Sequence, residues 1–152
     1  MDQHNRAAMV DVSEKETSRR VAVAQSIVIL PPEVIQKFTD GDIQTKKGAV
    51  FQTAVIAGIL AAKKTGELIP LCHPLGLENC QVNIHLKNEN ELVIECTASI
   101  TAKTGVEMEA LVGASIAALT VYDMCKALSH EIVIRETKLL KKTGGKNDFS
   151  RT

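Results

Sequence analysis

The sequence predicts a single α+β domain, and three features carry that reading. Apolar residues alternate with period two over residues 80–100, an Ala- and Leu-rich stretch at 106–128 has helical character, and strands and helices do not follow strict βαβα order. A chain of 152 residues can bury a core without disulfides or a structural metal, and is too short for a second complete domain.

Each element has its own local signal. Residues 1–20 are polar and end in Glu14-Lys15-Glu16-Thr17-Ser18-Arg19-Arg20, which reads as a partly mobile N-terminal arm. Val21 to Leu30 is rich in β-branched residues and opens the α+β domain, residues 21–140, with a strand that Pro31-Pro32 ends. The same Pro pair starts a short helix over Glu33–Thr39, terminated by Asp40-Gly41. Thr45-Lys46-Lys47-Gly48 is a turn into a buried helix over residues 49–64, where Val50, Ala54, Val55, Ile59 and Ala62 recur at helical spacing. Leu68 to Pro74 is an apolar loop around Cys72-His73. A hairpin follows: Val82, Ile84 and Leu86 alternate up to the turn Lys87-Asn88-Glu89-Asn90, and Leu92, Ile94, Cys96, Ala98 and Ile100 return. Cys80 and Cys96 share its apolar parity and read as core. One long helix spans Val106–Leu128, with Gly113 its one glycine. Glu131 to Arg135 is a closing strand, Lys138 to Lys146 is basic, and residues 141–152 form a flexible C-terminal tail.

Composition removes several function classes. Eighteen Lys and Arg balance eighteen Asp and Glu, so no whole-protein field draws nucleic acid or an anionic membrane, and any basic site is local. Aromatic residues are 3% of the chain, which leaves little to stack single-stranded bases upon. The polar N-terminus lacks the apolar core of a signal peptide, and no apolar run approaches about 20 residues, so neither export nor membrane insertion is expected. Cys72, Cys80, Cys96 and Cys125 form no CxxC pair and read as reduced thiols of a cytoplasmic protein.

Chemistry concentrates in a few places. Asp123 and Lys126 are three apart on the long helix and face the same side, either as a surface ion pair or, given the apolar residues around them, as a tuned site. Lys46-Lys47 ahead of Gly48, and Lys141-Lys142 with Lys146 beside Gly144-Gly145, supply cations on loops. The Gly-Gly-Lys string is no Walker P-loop, because its first glycine position is Leu140. His73 reads as a metal ligand, an acid/base or a packed loop residue, and with Cys72 alone it lacks zinc spacing. Glu107 and Glu109 complement a helix dipole. On residue chemistry alone the chain handles phosphate, and the reaction stays open.

Four strings narrow it. Met9-Val10-Asp11-Val12-Ser13, Leu68-Ile69-Pro70-Leu71-Cys72-His73-Pro74-Leu75, Lys103-Thr104-Gly105-Val106-Glu107-Met108-Glu109-Ala110-Leu111 and Tyr122-Asp123-Met124-Cys125-Lys126-Ala127 closely resemble, in this order, the cyclic pyranopterin monophosphate synthase family, protein C of molybdenum cofactor biosynthesis. The resemblance runs over about residues 9–146. It implies a ferredoxin-like antiparallel sheet packed against helices, assembled as a homohexamer (a trimer of dimers) with active sites at subunit interfaces. It also implies a lyase that converts 3',8-cyclo-7,8-dihydro-GTP, made by a radical-SAM GTP cyclase, to cyclic pyranopterin monophosphate and diphosphate. No cofactor is required by the resemblance, and magnesium accompanying the triphosphate is left open.

By motif, Asp123, Lys126 and Lys47 match the family's catalytic positions, while Leu71, Cys72, His73, Met108 and Glu109 match positions that line the substrate. Lys15 and Arg20 fall near basic family positions, and Lys142 and Lys146 match the basic C-terminal loop, as phosphate-binding candidates. Where the family commonly carries Gly-Gly-Lys-Ser, this chain has Gly144-Gly145-Lys146-Asn147 and so lacks the hydroxyl. Glu109 and Lys126 are 17 residues apart on one expected helix, about 25 Å at roughly 1.5 Å per residue. One reacting centre cannot touch both, so a pocket shared between subunits is expected. Two other classes stand beside this one: a non-catalytic nucleotide-binding α+β module, and a metal-handling protein using Cys72, His73 and Cys125.

Overall fold

Alternation of small and branched apolar residues makes β1 (Ser18–Ile29) the middle strand of an antiparallel sheet, with Ala22, Ala24, Ser26 and Val28 wholly buried on one face. The computed structural model describes residues 1–151, so Thr152, the last residue of the expected tail, lies outside the described residues. After β1 come α1 (Pro32–Ile35), β2 (Phe38–Thr39), β3 (Asp42–Thr45), β4 (Gly48–Ala49), α2 (Val50–Lys63) and α3 (Thr65–Leu68). The remainder is β5 (Asn79–Leu86), β6 (Glu91–Ala102), α4 (Glu107–Cys125), β7 (Val133–Thr143) and β8 (Phe149–Ser150).

The main sheet has the order β5-β6-β1-β7-β8, and β2-β3-β4 form a separate small meander. Register places the buried residues of neighbouring strands side by side: Ala22 against Ala98, Ala24 against Cys96, Ser26 against Ile94 and Val28 against Leu92. The core lies between this face and α4, which crosses β1, β6 and β7, while α2 packs beside α4 and over β5. The arrangement is a single ferredoxin-like α+β domain. Close approach of the two long helices depends on Gly58 and Gly113, since a Cβ on Gly58 would sit 2.9 Å from the Gly113 carbonyl oxygen.

The expected hairpin, both long helices and the Thr45–Gly48 turn are present. Cys96 is core as read, whereas Cys80 is only partly buried, its Sγ 3.7 Å from that of Cys96. Other expectations change. The helix expected over 33–39 is one turn long, because Phe38-Thr39 turns back on Asp42-Ile43 through Asp40-Gly41, whose φ values are +51° and +81°. Positive φ at both central residues is the signature of a tight two-residue hairpin, so Asp-Gly here makes a strand pair and not a helix stop. The α2 helix is buried on one face only, leaving Ile56 and Leu60 exposed. The arm gives up Ser18–Arg20 to β1, where they pair with Ile100–Ala102. The tail gives up Lys141–Thr143 to β7, paired with β1 as far as Val21, and Phe149-Ser150 adds the edge strand β8. Backbone pairing decides these segments, and their lysines do not all face solvent: Lys141 is exposed, whereas Lys142 pairs with buried Ala22 and is itself half-buried.

By length and composition α4 could cross a membrane, with 19 residues and mean hydropathy 1.3. Its apolar character is explained by its place in the core, where Ala110, Ala114, Ala117, Ala118 and Val121 are buried against the sheet and α2.

Candidate active site

Two successive two-residue hairpins bring Lys47 to its position. Lys46 and Lys47 form the tip between β3 and β4, where Thr45 pairs with Gly48. The Thr45 hydroxyl accepts from the Lys47 backbone N–H at 3.2 Å and lies 3.3 Å from the Gly48 carbonyl to which it donates. A buried carboxylate anchors the base of this hairpin. Asp42 Oδ1 accepts from the Phe51 N–H at 2.7 Å and the Ile43 N–H at 2.6 Å, and Oδ2 accepts from the Gln52 N–H at 3.3 Å. The α2 N-cap residue, Ala49, has no side-chain acceptor, so Asp42 caps that helix from a neighbouring strand and holds β3 against it.

Across from the tip lies the C-terminal turn of α4. Lys47 Nζ donates to Asp123 Oδ2 at 3.0 Å and to the Asp123 carbonyl at 3.1 Å, while Lys126 Nζ lies 3.1 Å from Oδ1. Each carboxylate oxygen therefore holds one ammonium, and about half of each side chain faces solvent. Hydrogen bonds from Lys47 first and Lys126 second hold the Asp123 carboxyl below its ordinary value, so it is ionised at neutral pH. A cleft of about 550 Å³ opens beside Lys47, which lines it together with Lys37, Gln44, Thr45, Lys46 and, next in sequence to Asp123 and Lys126, Met124, Ala127 and Leu128.

A second group gathers at the other end of α4. Cys72 lies near Glu109 and Glu107, and its thiol is pushed up by burial and then by those carboxylates. The His73 Nε2–H donates to the Val10 carbonyl at 2.7 Å, and Lys103 Nζ donates to the Ser13 carbonyl at 3.0 Å, so the arm lies over this group. Lys142 Nζ is 3.5 Å from Glu107 Oε1. Glu109 is the unusual member. It is 2% exposed, and neither carboxylate oxygen has a hydrogen-bond partner among the described residues. Burial pushes its carboxyl up to about 7.

The structure brings Lys47, Asp123 and Lys126 together, and separately brings Cys72, His73 and Glu109 together, at opposite ends of a helix about 28 Å long at roughly 1.5 Å per residue. Leu71 and Met108 stand partly exposed beside the second group. Arg20 is nearly buried, donating through Nε and Nη2 to the Ala102 and Lys103 carbonyls, which makes it first a strut of the sheet end. Lys15 and Lys146 are exposed. The metal set is not assembled: Cys125 is buried near Asp42, while Cys72 and His73 lie at the far end of α4. Asp42 and Glu107 were not legible as functional. Asp42 follows an Asp-Gly hairpin signal that would have placed it on a returning strand, but nothing local marks it as the cap of α2 or Glu107 as the partner of Lys142.

Comparison with known proteins agrees with this arrangement. The MoaC family pattern matches residues 9–145. The chain is 51% identical over 151 residues to the cyclic pyranopterin monophosphate synthase of Brevibacillus brevis, a match covering 99% of this chain and 93% of that protein. It is 50% identical over 149 residues to the protein of the same name from Xanthomonas campestris pv. campestris, covering 98% and 90%. It is 49% identical to the molybdenum cofactor biosynthesis bifunctional protein of Synechocystis sp., where it spans 45% of that longer chain. A match over nearly the whole chain, joined to a fold that assembles the Lys47, Asp123 and Lys126 motif residues at one point, means that this protein belongs to the MoaC family.

Proposed function

We propose that the chain is a cyclic pyranopterin monophosphate synthase, a lyase of molybdenum cofactor biosynthesis that converts 3',8-cyclo-7,8-dihydro-GTP to cyclic pyranopterin monophosphate with release of diphosphate. The observation that carries this reading is the convergence of Lys47, from a hairpin tip, on the Asp123 and Lys126 pair of α4. Two ammonium groups on one ionised carboxylate can stabilise charge that develops on a departing phosphate oxygen while the carboxylate accepts a proton. Displacement of Asp123 by substrate oxygens would leave both lysines pointing at the phosphates.

Glu109 fits the other end of the substrate. A buried carboxylate with two free acceptors suits the N–H donors of a guanine-derived ring, with Cys72 near it and Leu71, His73 and Met108 as further lining residues in this reading. Since the two groups stand at opposite ends of α4, we infer that a complete pocket takes one end from each of two subunits, in a homohexamer built as a trimer of dimers. Lys15, Lys142 and Lys146 are further phosphate ligands in this reading, and Arg20, a further candidate there, braces the end of β6 through the Ala102 and Lys103 carbonyls. The substrate comes from a radical-SAM GTP cyclase. No resident cofactor is assigned, magnesium arriving only with the triphosphate, and four free cysteines suit the cytoplasm.

Incubation of the purified chain with 3',8-cyclo-7,8-dihydro-GTP tests the reading. Diphosphate and the pyranopterin product should appear together. Binding without diphosphate release would instead make the protein a non-catalytic nucleotide-binding module.

A further inference from the structure

The cleft beside Asp123 has a charge pattern that the three motif residues do not use up. Every charged side chain lining it is a lysine: Lys37 at the end of the α1 turn, Lys46 at the hairpin tip, and Lys47. Its floor is apolar and comes from Met124 in the last turn of α4 and from Ala127 and Leu128 in the turn that follows it. A volume of about 550 Å³ is within the range of small-molecule sites, roughly 300–1,000 Å³. Cations of one sign above low-dielectric walls focus the field into such a cleft and favour a multiply charged anion.

The lysines are not equivalent. Lys47, like its neighbour Lys126, already shares the Asp123 carboxylate. Lys37 and Lys46 are exposed and form no ion pair among the described residues. In the proposed reaction a substrate hydroxyl oxygen bonds to the α-phosphorus and gives up its proton to a base. The bond from that phosphorus to the bridging oxygen breaks, and its electron pair leaves with the diphosphate. That leaving group carries about three negative charges, more than the two ammonium groups of Lys47 and Lys126 neutralise even when substrate has displaced Asp123. We propose that the cleft seats the departing diphosphate and that Lys37 and Lys46 are the residues that hold it.

This inference rests on the proposed function, and its test separates the two. Isothermal titration with inorganic diphosphate, at low and moderate salt, compares the full chain with a Lys37→Ala/Lys46→Ala variant and with a Lys63→Ala/Lys64→Ala control. The control removes the same charge from an exposed site at the far end of α2. The first variant should bind diphosphate about tenfold more weakly, the control should match the unaltered chain, and added salt should narrow the difference. Inhibition of turnover by added diphosphate should weaken in parallel. Equal affinity in the Lys37/Lys46 variant, equal weakening in the control, or no diphosphate binding by the unaltered chain each overturns the inference. If the unaltered chain still converts substrate in any of those cases, the proposed function stands without this seat. If it binds diphosphate through Lys37 and Lys46 yet releases none from substrate, the seat stands and the proposed function falls.

Discussion

Lys47 Nζ lies 3.0 Å from Asp123 Oδ2 and 3.1 Å from the carbonyl oxygen of the same residue, although 76 positions separate the two in the chain. This contact joins the β3–β4 hairpin to the end of α4 and completes a set that sequence spacing alone leaves as one helical ion pair.

Removing any member of the set should abolish turnover without unfolding the protein. Asp123→Asn, Lys47→Ala and Lys126→Ala should each lower kcat by about 10²- to 10⁴-fold. Exposed ion pairs contribute little to stability, so the midpoint of thermal unfolding should stay close to that of the unaltered chain. Near-normal diphosphate release in all three variants would remove them from the chemistry. With Asp123 held below the ordinary carboxylate range by Lys47 and Lys126, turnover that depends on its ionised form should be lost on acidification only beneath that range.

Asp42 should matter for activity without touching the substrate. Asp42→Ala strips the cap from α2 and frees β3, which should destabilise the fold by about 1–3 kcal/mol. Because Lys47 is carried by the same hairpin, kcat should fall as well, and Asp42→Asn should recover part of both losses by keeping one acceptor. A loss of stability with kcat intact would separate the cap from the positioning of Lys47.

Glu109 makes stability depend on pH in a defined direction. Its folded value is raised from 4.5 to about 7, so the folded state binds the proton more tightly than the unfolded state. The corresponding stability is fully present below pH 4.5 and is lost as pH rises through about 7, a contribution on the order of 3 kcal/mol. Glu109→Gln should therefore flatten the dependence of unfolding free energy on pH between about 4 and 8, as measured by denaturant titration. An unchanged slope would mean that the carboxylate is solvated or paired in the folded protein.

Sharing of the pocket can be tested by mixing. Lys126→Ala and Glu109→Ala chains, each inactive alone, should regain activity when unfolded together and refolded as hybrids, because some pockets would then take intact ends from both. Absence of any regained activity in verified hybrid oligomers would confine both groups to a role within one subunit.

Packing of α4 on β6 is tight enough for one methyl group to be felt. A Cβ on Gly113 would lie 2.5 Å from Cys96 Sγ, which is fully buried. Gly113→Ala should cost about 1–3 kcal/mol in denaturant unfolding. Adding Cys96→Ala should recover part of that cost by removing the sulfur, a non-additive result. Simple addition of the two losses would place the strain elsewhere.

The strong periodic signals were legible in the sequence: alternation at Val82, Ile84 and Leu86 and again at Leu92 to Ile100, and the helical patterns of α2 and α4. So was the family, because its four strings survive as short contiguous runs. These are local properties, set by side-chain periodicity and by motif identity. The tertiary structure alone decided the rest. It showed that Asp40-Gly41 closes a hairpin, that the lysine-rich segment Lys138–Lys142 is sheet, and that Asp42 caps a helix to which it does not belong. It turned the Asp123 and Lys126 ion pair into a three-residue centre with Lys47, and it left Glu109 buried and unpartnered at the far end of α4. Each of these depends on groups far apart in the chain, whose meeting is fixed by strand register and helix packing and leaves no periodic trace in the sequence.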